Sequence, residues 1–117
     1  MSDNGYHTME EYNVLLKKKW TLCVLTDLHL GSRHFQDFNR NLPNISTKVL
    51  HQTLIELEEV GLIKKHIIEN KSKSTEYSLT DKGKLSKNLI KEYYAYISAI
   101  SSDSDEEGDI LKRIEEL

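Results

Sequence analysis

The clearest alternation of apolar and polar positions lies in the segment ISTKVLHQTLIELEEVGLIKK, residues 45–65. Its leucines recur at spacings of four and three residues, which places them on one face of a helix. These leucines are Leu50, Leu54 and Leu57. Ser46 suits a helix N-cap, and Gly61 follows the last apolar position, as a helix C-terminus prefers. The pattern therefore predicts an amphipathic helix over about residues 46–60.

Polar side chains occupy the other side of the first two turns of this helix. None of them is needed to fold a helix, yet each can donate or accept a hydrogen bond at a base edge or a phosphate. They are Thr47, Lys48, His51 and Gln52. We interpret the segment as a recognition helix that enters the major groove of duplex DNA.

A β-hairpin is predicted directly after this helix. Residues 62–68 (LIKKHII) are rich in β-branched side chains, and residues 75–79 (TEYSL) alternate in the manner of a returning strand. The polar turn between them, about residues 69–74, carries Lys71 and Lys73. A hairpin in this position is a wing, whose tip would reach the adjacent groove or its phosphates. The alternative is an ordinary solvated hairpin loop.

Three helices are predicted before the recognition helix, over about residues 8–18, 20–30 and 35–41. Thr8 and Glu11 have the spacing of a capping box. The second helix is apolar nearly all round, which is typical of a helix in the centre of a core. Pro43 separates the third helix from Ser46 by a short turn. Two helices joined in this way, the second amphipathic, form the helix-turn-helix pattern.

A last long helix is predicted from a cap at Thr80 to about Ile100. Its apolar stripe is wider than one small domain needs to cover, which indicates a dimer interface. The interface residues expected from this stripe are Leu85, Leu89, Tyr93, Tyr96, Ile97 and Ile100. The alternative is that the stripe packs only on its own domain.

The chain is thus expected to be mainly α with a small β-hairpin, an α+β fold. Residues 1–8 are predicted to form a flexible lead-in and residues 9–100 a winged helix-turn-helix domain with extra terminal helices for dimerisation. Residues 101–117 are predicted to form an acidic linker followed by a short helix. That helix is too short to be stable alone, so it is either frayed or docked on a neighbouring surface.

Composition fits a soluble, cytoplasmic protein of one domain, without contact to a membrane. Hydrophobic residues make up 38% of the 117 residues and charged residues 30%, and no stretch approaches the ~20 apolar residues of a membrane span. The net charge of −3 hides acidic ends, because residues 12–101 contain 14 basic and 9 acidic residues, a formal charge of +5. Such a basic body suits a polyanionic partner, although scattered lysines that merely solvate the surface fit equally well.

Patterns of enzymes and metal sites are missing from the sequence. The five histidines are scattered without ligand spacing, and no glycine-rich phosphate loop or serine elbow is present. We therefore expect no enzymatic activity, no cofactor and no metal. The single cysteine, Cys23, excludes an intrachain disulfide and is expected to be an inert packed thiol.

Three motifs over about residues 12–97 resemble the HxlR-like family of winged helix-turn-helix transcriptional regulators. They are KKKWTLCVLTDLHLGSRHF (17–35), NISTKVLHQTLIELEEVGLIKK (44–65) and TEYSLTDKG (75–83). The resemblance implies a homodimer whose two recognition helices enter successive major grooves. By position, the residues it implies in DNA binding are Arg33, Ser46, Thr47, Lys48, His51, Gln52, Lys65, Lys71 and Lys73.

The chain departs from the family pattern at three places. His34 stands between Arg33 and Phe35, the usual wing prolines are absent, and no cysteine precedes the first helix. Because some relatives sense oxidants through that cysteine, thiol sensing is not carried over.

The sequence therefore predicts a dimeric, sequence-specific regulator of transcription that binds a pseudo-palindromic duplex. No small-molecule effector is identifiable from the residues. The alternative from a different class is a winged-helix module that binds protein and does not bind DNA.

Overall fold

The structure is a computed structural model that describes residues 7–69, 74–101, 110 and 112–117. Its elements in chain order are α1 (Met9–Leu16), α2 (Thr21–His29), α3 (Phe35–Asn41), α4 (Thr47–Glu59), β1 (Ile63–Ile68), β2 (Ser74–Leu79), α5 (Asp81–Lys84) and α6 (Ser86–Ile100). Residues 110 and 112–115 are also helical. The predicted fold class, mainly helical with a small antiparallel hairpin, is confirmed.

Side-chain caps start the helices where the sequence predicts them. The Thr8 hydroxyl accepts from the Glu11 N–H at 3.1 Å, and the Glu11 carboxylate accepts from the Thr8 N–H at 2.8 Å. Ser46 accepts from the N–H of Val49 at 3.1 Å and so caps α4. Each cap satisfies backbone donors that the first turn of a helix leaves without a partner. Gly61 has a φ of +80°, the conformation that glycine adopts most easily beyond a helix end.

Helix α2 runs through the centre of the core. Val24 and Leu25 are fully buried and belong to a core cluster that includes side chains of α1, α3, α4, both strands and α6. Among these, Phe38 of α3 and the apolar face of α4 are also inaccessible to solvent. The sequence did not anticipate that Asp27 of α2 is buried as well. Its carboxylate accepts hydrogen bonds from Ser32 at 2.9 Å and from Asn41 at 3.2 Å.

The hairpin pairs β1 with β2 from Ile63↔Leu79 to Ile68↔Ser74. It packs on the core through Ile63 and Tyr77. The Tyr77 N–H also donates to the Arg33 carbonyl at 2.7 Å, which fixes the segment before α3 beside β2. The turn between the strands, with Lys71 and Lys73, lies outside the described residues.

The single helix predicted after Thr80 is wrong, because the chain bends at Leu85 and forms two helices. Thr80 caps the first of them, α5, as predicted, and accepts from the Gly83 N–H at 3.0 Å. The Ser86 hydroxyl, at the start of α6, donates to the Gly83 carbonyl at 2.7 Å. Apolar spacing continues across the bend, so periodicity alone does not reveal it.

The C-terminal helical segment docks on the domain. Ile114 is fully buried in the same core cluster as α2, and Ile110 packs against that cluster. Of the two alternatives for this segment, docking is therefore the one observed. Within the described ranges, no helix combines the length and apolar character needed to cross a bilayer.

Candidate nucleic-acid interface

Helix α4 has two faces of opposite character. One face packs on the core through three leucine side chains that are at most 2% exposed: Leu50, Leu54 and Leu57. The polar residues predicted to contact DNA all lie on the solvent side: Ser46, Thr47, Lys48, His51 and Gln52. The helix is therefore anchored by one side and presents hydrogen-bonding groups from its first two turns on the other.

The His51 ring is held in place by stacking. It lies against Phe35 at the start of α3, with ring centroids 4.3 Å apart and an interplanar angle of 29°. This contact links the two helices of the helix-turn-helix on their outer side. Helical periodicity does not predict this contact, although Phe35 is recognisable in the sequence as an apolar residue at the start of α3.

The side chain of Gln52 belongs to a short hydrogen-bonded network with Glu56 and Lys18 on the protein surface. Its amide donates to Glu56 at 3.1 Å, and Lys18 of the segment after α1 binds the same carboxylate at 2.7 Å. Burial opposes ionisation of Glu56, but the hydrogen bonds from Lys18 and Gln52, together with the charge of Lys18, outweigh it and lower the pKa of the carboxyl. The charge of Glu56 is thus offset by Lys18 rather than left free beside the exposed face.

Two hydrogen bonds hold the backbone of Arg33 in place, while its side chain is exposed. Its N–H donates to the Asp37 carboxylate at 3.0 Å, and its carbonyl accepts from Tyr77 at 2.7 Å. The next residue, His34, donates through Nδ1 to the Thr75 carbonyl at 3.0 Å and has Nε2 3.6 Å from the Glu76 carboxylate. The guanidinium therefore projects from a rigid junction between the helix-turn-helix and the hairpin.

The remaining predicted DNA contact that can be placed is Lys65. It lies on β1, opposite Tyr77 in the strand pairing, and its side chain is exposed. The structure does not describe Lys71 and Lys73, so their part in the interface stays a prediction.

The stripe predicted as a dimer interface lies on α6 and at the bend before it. Ile90 and Tyr94 turn inward and are buried in the domain. Ile97 is half-buried, and the other members of the stripe face outward: Leu85, Leu89, Tyr93, Tyr96 and Ile100. Leu85 is 80% exposed and Tyr96 65%. These five exposed members of the stripe therefore form one continuous side of α6 and of the bend before it.

Cys23 is half-buried on α2, and burial raises the pKa of its thiol. A raised pKa reduces the thiolate fraction, which is the reactive form of cysteine. Across the described ranges, no group of three or more histidine, cysteine, aspartate or glutamate side chains is arranged to hold a metal ion.

Comparison with known proteins agrees with this architecture. The sequence profile of the HxlR-like helix-turn-helix family matches residues 15–105. The uncharacterized HTH-type transcriptional regulator YvaP of Bacillus subtilis is 41% identical over 70 residues, which are 60% of this chain and 65% of the relative. An uncharacterized HTH-type transcriptional regulator of Methanothermobacter thermautotrophicus is 41% identical over 66 residues, 56% of this chain and 50% of the relative. The chain thus spans half to two thirds of the length of these relatives.

A solved structure extends the similarity over most of the fold. The reduced form of the transcriptional regulator YodB from B. subtilis superposes with a TM-score of 0.70 at 27% identity, and the match covers 83% of this chain and 95% of that chain. The resemblance inferred from the three sequence motifs is confirmed, and the chain belongs to the HxlR-like helix-turn-helix family.

Proposed function

We propose that this protein is a dimeric, sequence-specific DNA-binding regulator of transcription. The observation that carries the proposal is the division of α4, whose leucines are buried while Thr47, Lys48, His51 and Gln52 are exposed. A helix held by one face on a winged-helix scaffold can enter a major groove with the other. The relatives named as transcriptional regulators support the same function.

Base recognition is assigned to the first two turns of α4. Lys48 is suited to the O6 and N7 acceptors of guanine, and Gln52 to the N6 and N7 groups of adenine. Gln52 must exchange its bond to Glu56 for the base, a step that leaves Glu56 still paired with Lys18. Affinity and register would come from phosphate contacts by Arg33, Lys65 and the wing lysines.

Dimerisation is assigned to the apolar stripe on α6. A two-fold axis through this surface would present two copies of α4 to successive major grooves of one duplex. Their half-sites would then lie about one helical turn apart, roughly 34 Å. The wing, about residues 69–74, would reach the adjacent groove or backbone.

Selection of bound sites from a random duplex library tests the whole proposal. We expect an enriched pseudo-palindrome with half-sites about one helical turn apart. Enrichment of unrelated sequences without internal symmetry would contradict sequence-specific binding by a dimer.

Two substitutions then separate base reading from phosphate contact. Lys48→Gln should relax the preference at one position of the selected site. Lys71→Gln should weaken specific and random duplexes alike and reduce the salt slope by about 1 per protomer. Lys112→Gln removes the same charge from the exposed C-terminal segment and is the matched control. Equal losses on both duplexes for Lys48→Gln would count against the role of α4.

The alternative function, a protein-binding module that does not bind DNA, gives a different result. Fluorescence polarisation would then stay flat at low salt across the random pool. Such a result would overturn the proposal and leave only the fold.

A further inference from the structure

A cleft lined by cations lies on the hairpin side of the domain. Arg33, Lys64 and Lys84 meet there around a cavity of about 300 Å³, and each comes from a different part of the chain. Arg33 precedes α3, Lys64 lies on β1 and Lys84 ends α5. None of the residues that line this basic cleft is an aspartate or a glutamate.

Close packing at the base of the hairpin brings these three cations together. Lys64 lies opposite Ser78 in the strand pairing, and Ser78 also lines the basic cleft. Gly83 is buried, and a Cβ at that position would lie 1.9 Å from the Leu62 carbonyl oxygen, so α5 packs directly on the start of the hairpin. Lys84 follows Gly83 and is thereby fixed beside the strands. Tyr77 holds Arg33 on the remaining side through the bond to its carbonyl.

Two acidic groups close to the basic cleft are engaged elsewhere. The Asp27 carboxylate is held by Ser32 and Asn41, and Asp37 pairs with Arg40 at 2.7 Å. Within the described ranges, Arg33, Lys64 and Lys84 form no ion pair with a carboxylate, whereas Lys18 pairs with Glu56. Three cations around one cavity whose lining contains no carboxylate raise the local potential and attract an anion.

The lining of the basic cleft combines these cations with apolar residues, such as Leu28 and Leu79, and with the polar residue Ser78. This combination suits a compact anion with several acceptor oxygens, of which a phosphate group is the usual example in proteins.

We propose that the basic cleft binds a phosphodiester of the DNA backbone beside the site that α4 reads, with Lys64 and Lys84 as additional contacts. The inference rests on the proposed function. Arg33 joins the basic cleft to the helix-turn-helix, so one duplex can engage both surfaces. Lys64 and Lys84 are exposed. Exposed lysines bind a single small anion weakly but bind a polyanion strongly, because a duplex carries one charge per about 1.7 Å and releases condensed counterions on binding.

The test measures salt-dependent binding of the selected duplex and of a random duplex by the full chain. The variants are Lys64→Gln, Lys84→Gln and the double substitution, with Lys112→Gln as the matched control. Each single variant should weaken both duplexes by about three- to tenfold and reduce the salt slope by about 1 per protomer. The base preference found by library selection should stay unchanged. Circular dichroism melts confirm that the variants are folded.

Several outcomes would overturn the inference, and they differ from a failure of the proposed function. If the wild-type chain binds duplex DNA but Lys64→Gln and Lys84→Gln behave like Lys112→Gln, the basic cleft does not contact DNA. A changed base preference would make Lys64 a base-reading residue instead. Titration with inorganic phosphate, followed by the NMR chemical shifts of the Gly31 and Ser78 amides, detects a site for a free anion. If phosphate saturates this site but the lysine variants have no effect on DNA binding, the inference is also contradicted. Absence of duplex binding by the wild type would refute the proposed function itself.

Discussion

Two aspartates, Asp27 of α2 and Asp37 of α3, have pKa values shifted in opposite directions. Burial raises the pKa of Asp27, and the hydrogen bonds from Ser32 and Asn41 recover only part of that cost. Asp37 is scarcely desolvated, and the backbone N–H groups of Arg33 and His34, followed by the Arg40 side chain, hold its pKa well below the usual range. Ionised Asp27 therefore costs stability, whereas ionised Asp37 contributes it.

Replacing Asp37 by asparagine should destabilise the protein in a pH-dependent way. A carboxyl whose folded pKa is depressed contributes stability above its unfolded pKa of about 3.9 and loses it as the pH falls further. The loss for Asp37→Asn should be about 1 kcal/mol at pH 7, as for other helix-start caps, and should shrink as the medium becomes acidic. Urea unfolding followed by circular dichroism at pH 7 and in acid measures both values.

The matched control for this change is Asp81→Asn in the first turn of α5. Its carboxylate is exposed and forms no hydrogen bond with a described residue, so its removal should cost less. A loss for Asp37→Asn that is the same at both pH values would show that the charge of Asp37 is unimportant.

Among the secondary-structure elements, those with a local signal were predictable from the sequence. Caps at Thr8, Ser46 and Thr80 mark helix starts because the bond from cap to backbone spans only three residues. Contacts between distant residues carry no such signal. The stacking of Phe35 on His51 and the polar chain from Lys18 to Gln52 depend on how the helices pack, which periodicity does not report. The basic cleft likewise joins residues up to about fifty positions apart.

The role of Gly83 in α5, two residues before the bend at Leu85, was also not predictable from the sequence. Gly83 belongs to the sequence motif TEYSLTDKG. The need for a glycine at this position, however, comes from the tertiary structure. Its Cα approaches the Leu62 carbonyl so closely that no side chain fits. A glycine within a helix is otherwise unfavourable, by about 1 kcal/mol relative to alanine. Its presence there therefore indicates a close approach of two backbones.

Gly83→Ala should be strongly destabilising. A Cβ 1.9 Å from a backbone oxygen cannot be accommodated without moving α5 away from the hairpin. We expect a loss of about 3 kcal/mol or more, since overpacking commonly costs about 1–3 kcal/mol and a backbone atom cannot swing aside. Thermal and urea unfolding give the value.

Gly31→Ala is the control, because a Cβ there meets nothing within 4 Å and only the φ of +114° is unfavourable. It should cost about 1–2 kcal/mol. Comparable losses for the two variants would mean that α5 can shift freely, and the positions of Lys84 and the basic cleft would not be fixed by Gly83.

Considered as a whole molecule, the domain has two surfaces of opposite character. One contains the exposed polar groups of α4 together with Arg33 and Lys65, and the other is the apolar stripe of α6. Large exposed apolar patches usually mark sites of association. If the stripe joins two copies, each contributes one α4 to the same duplex, and the second contact becomes intramolecular once the first has formed.

Introducing a charge into the stripe should therefore separate dimerisation from DNA contact. Leu89 is 47% exposed in the single chain, so Leu89→Glu should leave the fold intact while placing a charge in the interface. Analytical ultracentrifugation should show a dimer for the wild type and a monomer for the variant. Affinity for the selected palindrome should fall by about 100-fold or more, since avidity commonly contributes about 10²–10⁴, whereas affinity for an isolated half-site should change little. Asn88→Glu adds the same charge at an exposed position about 100° around α6 from Leu89 and should remain dimeric. A wild-type chain that sediments as a monomer while binding the palindrome tightly would remove the stripe from the mechanism, because each half-site would then be read independently.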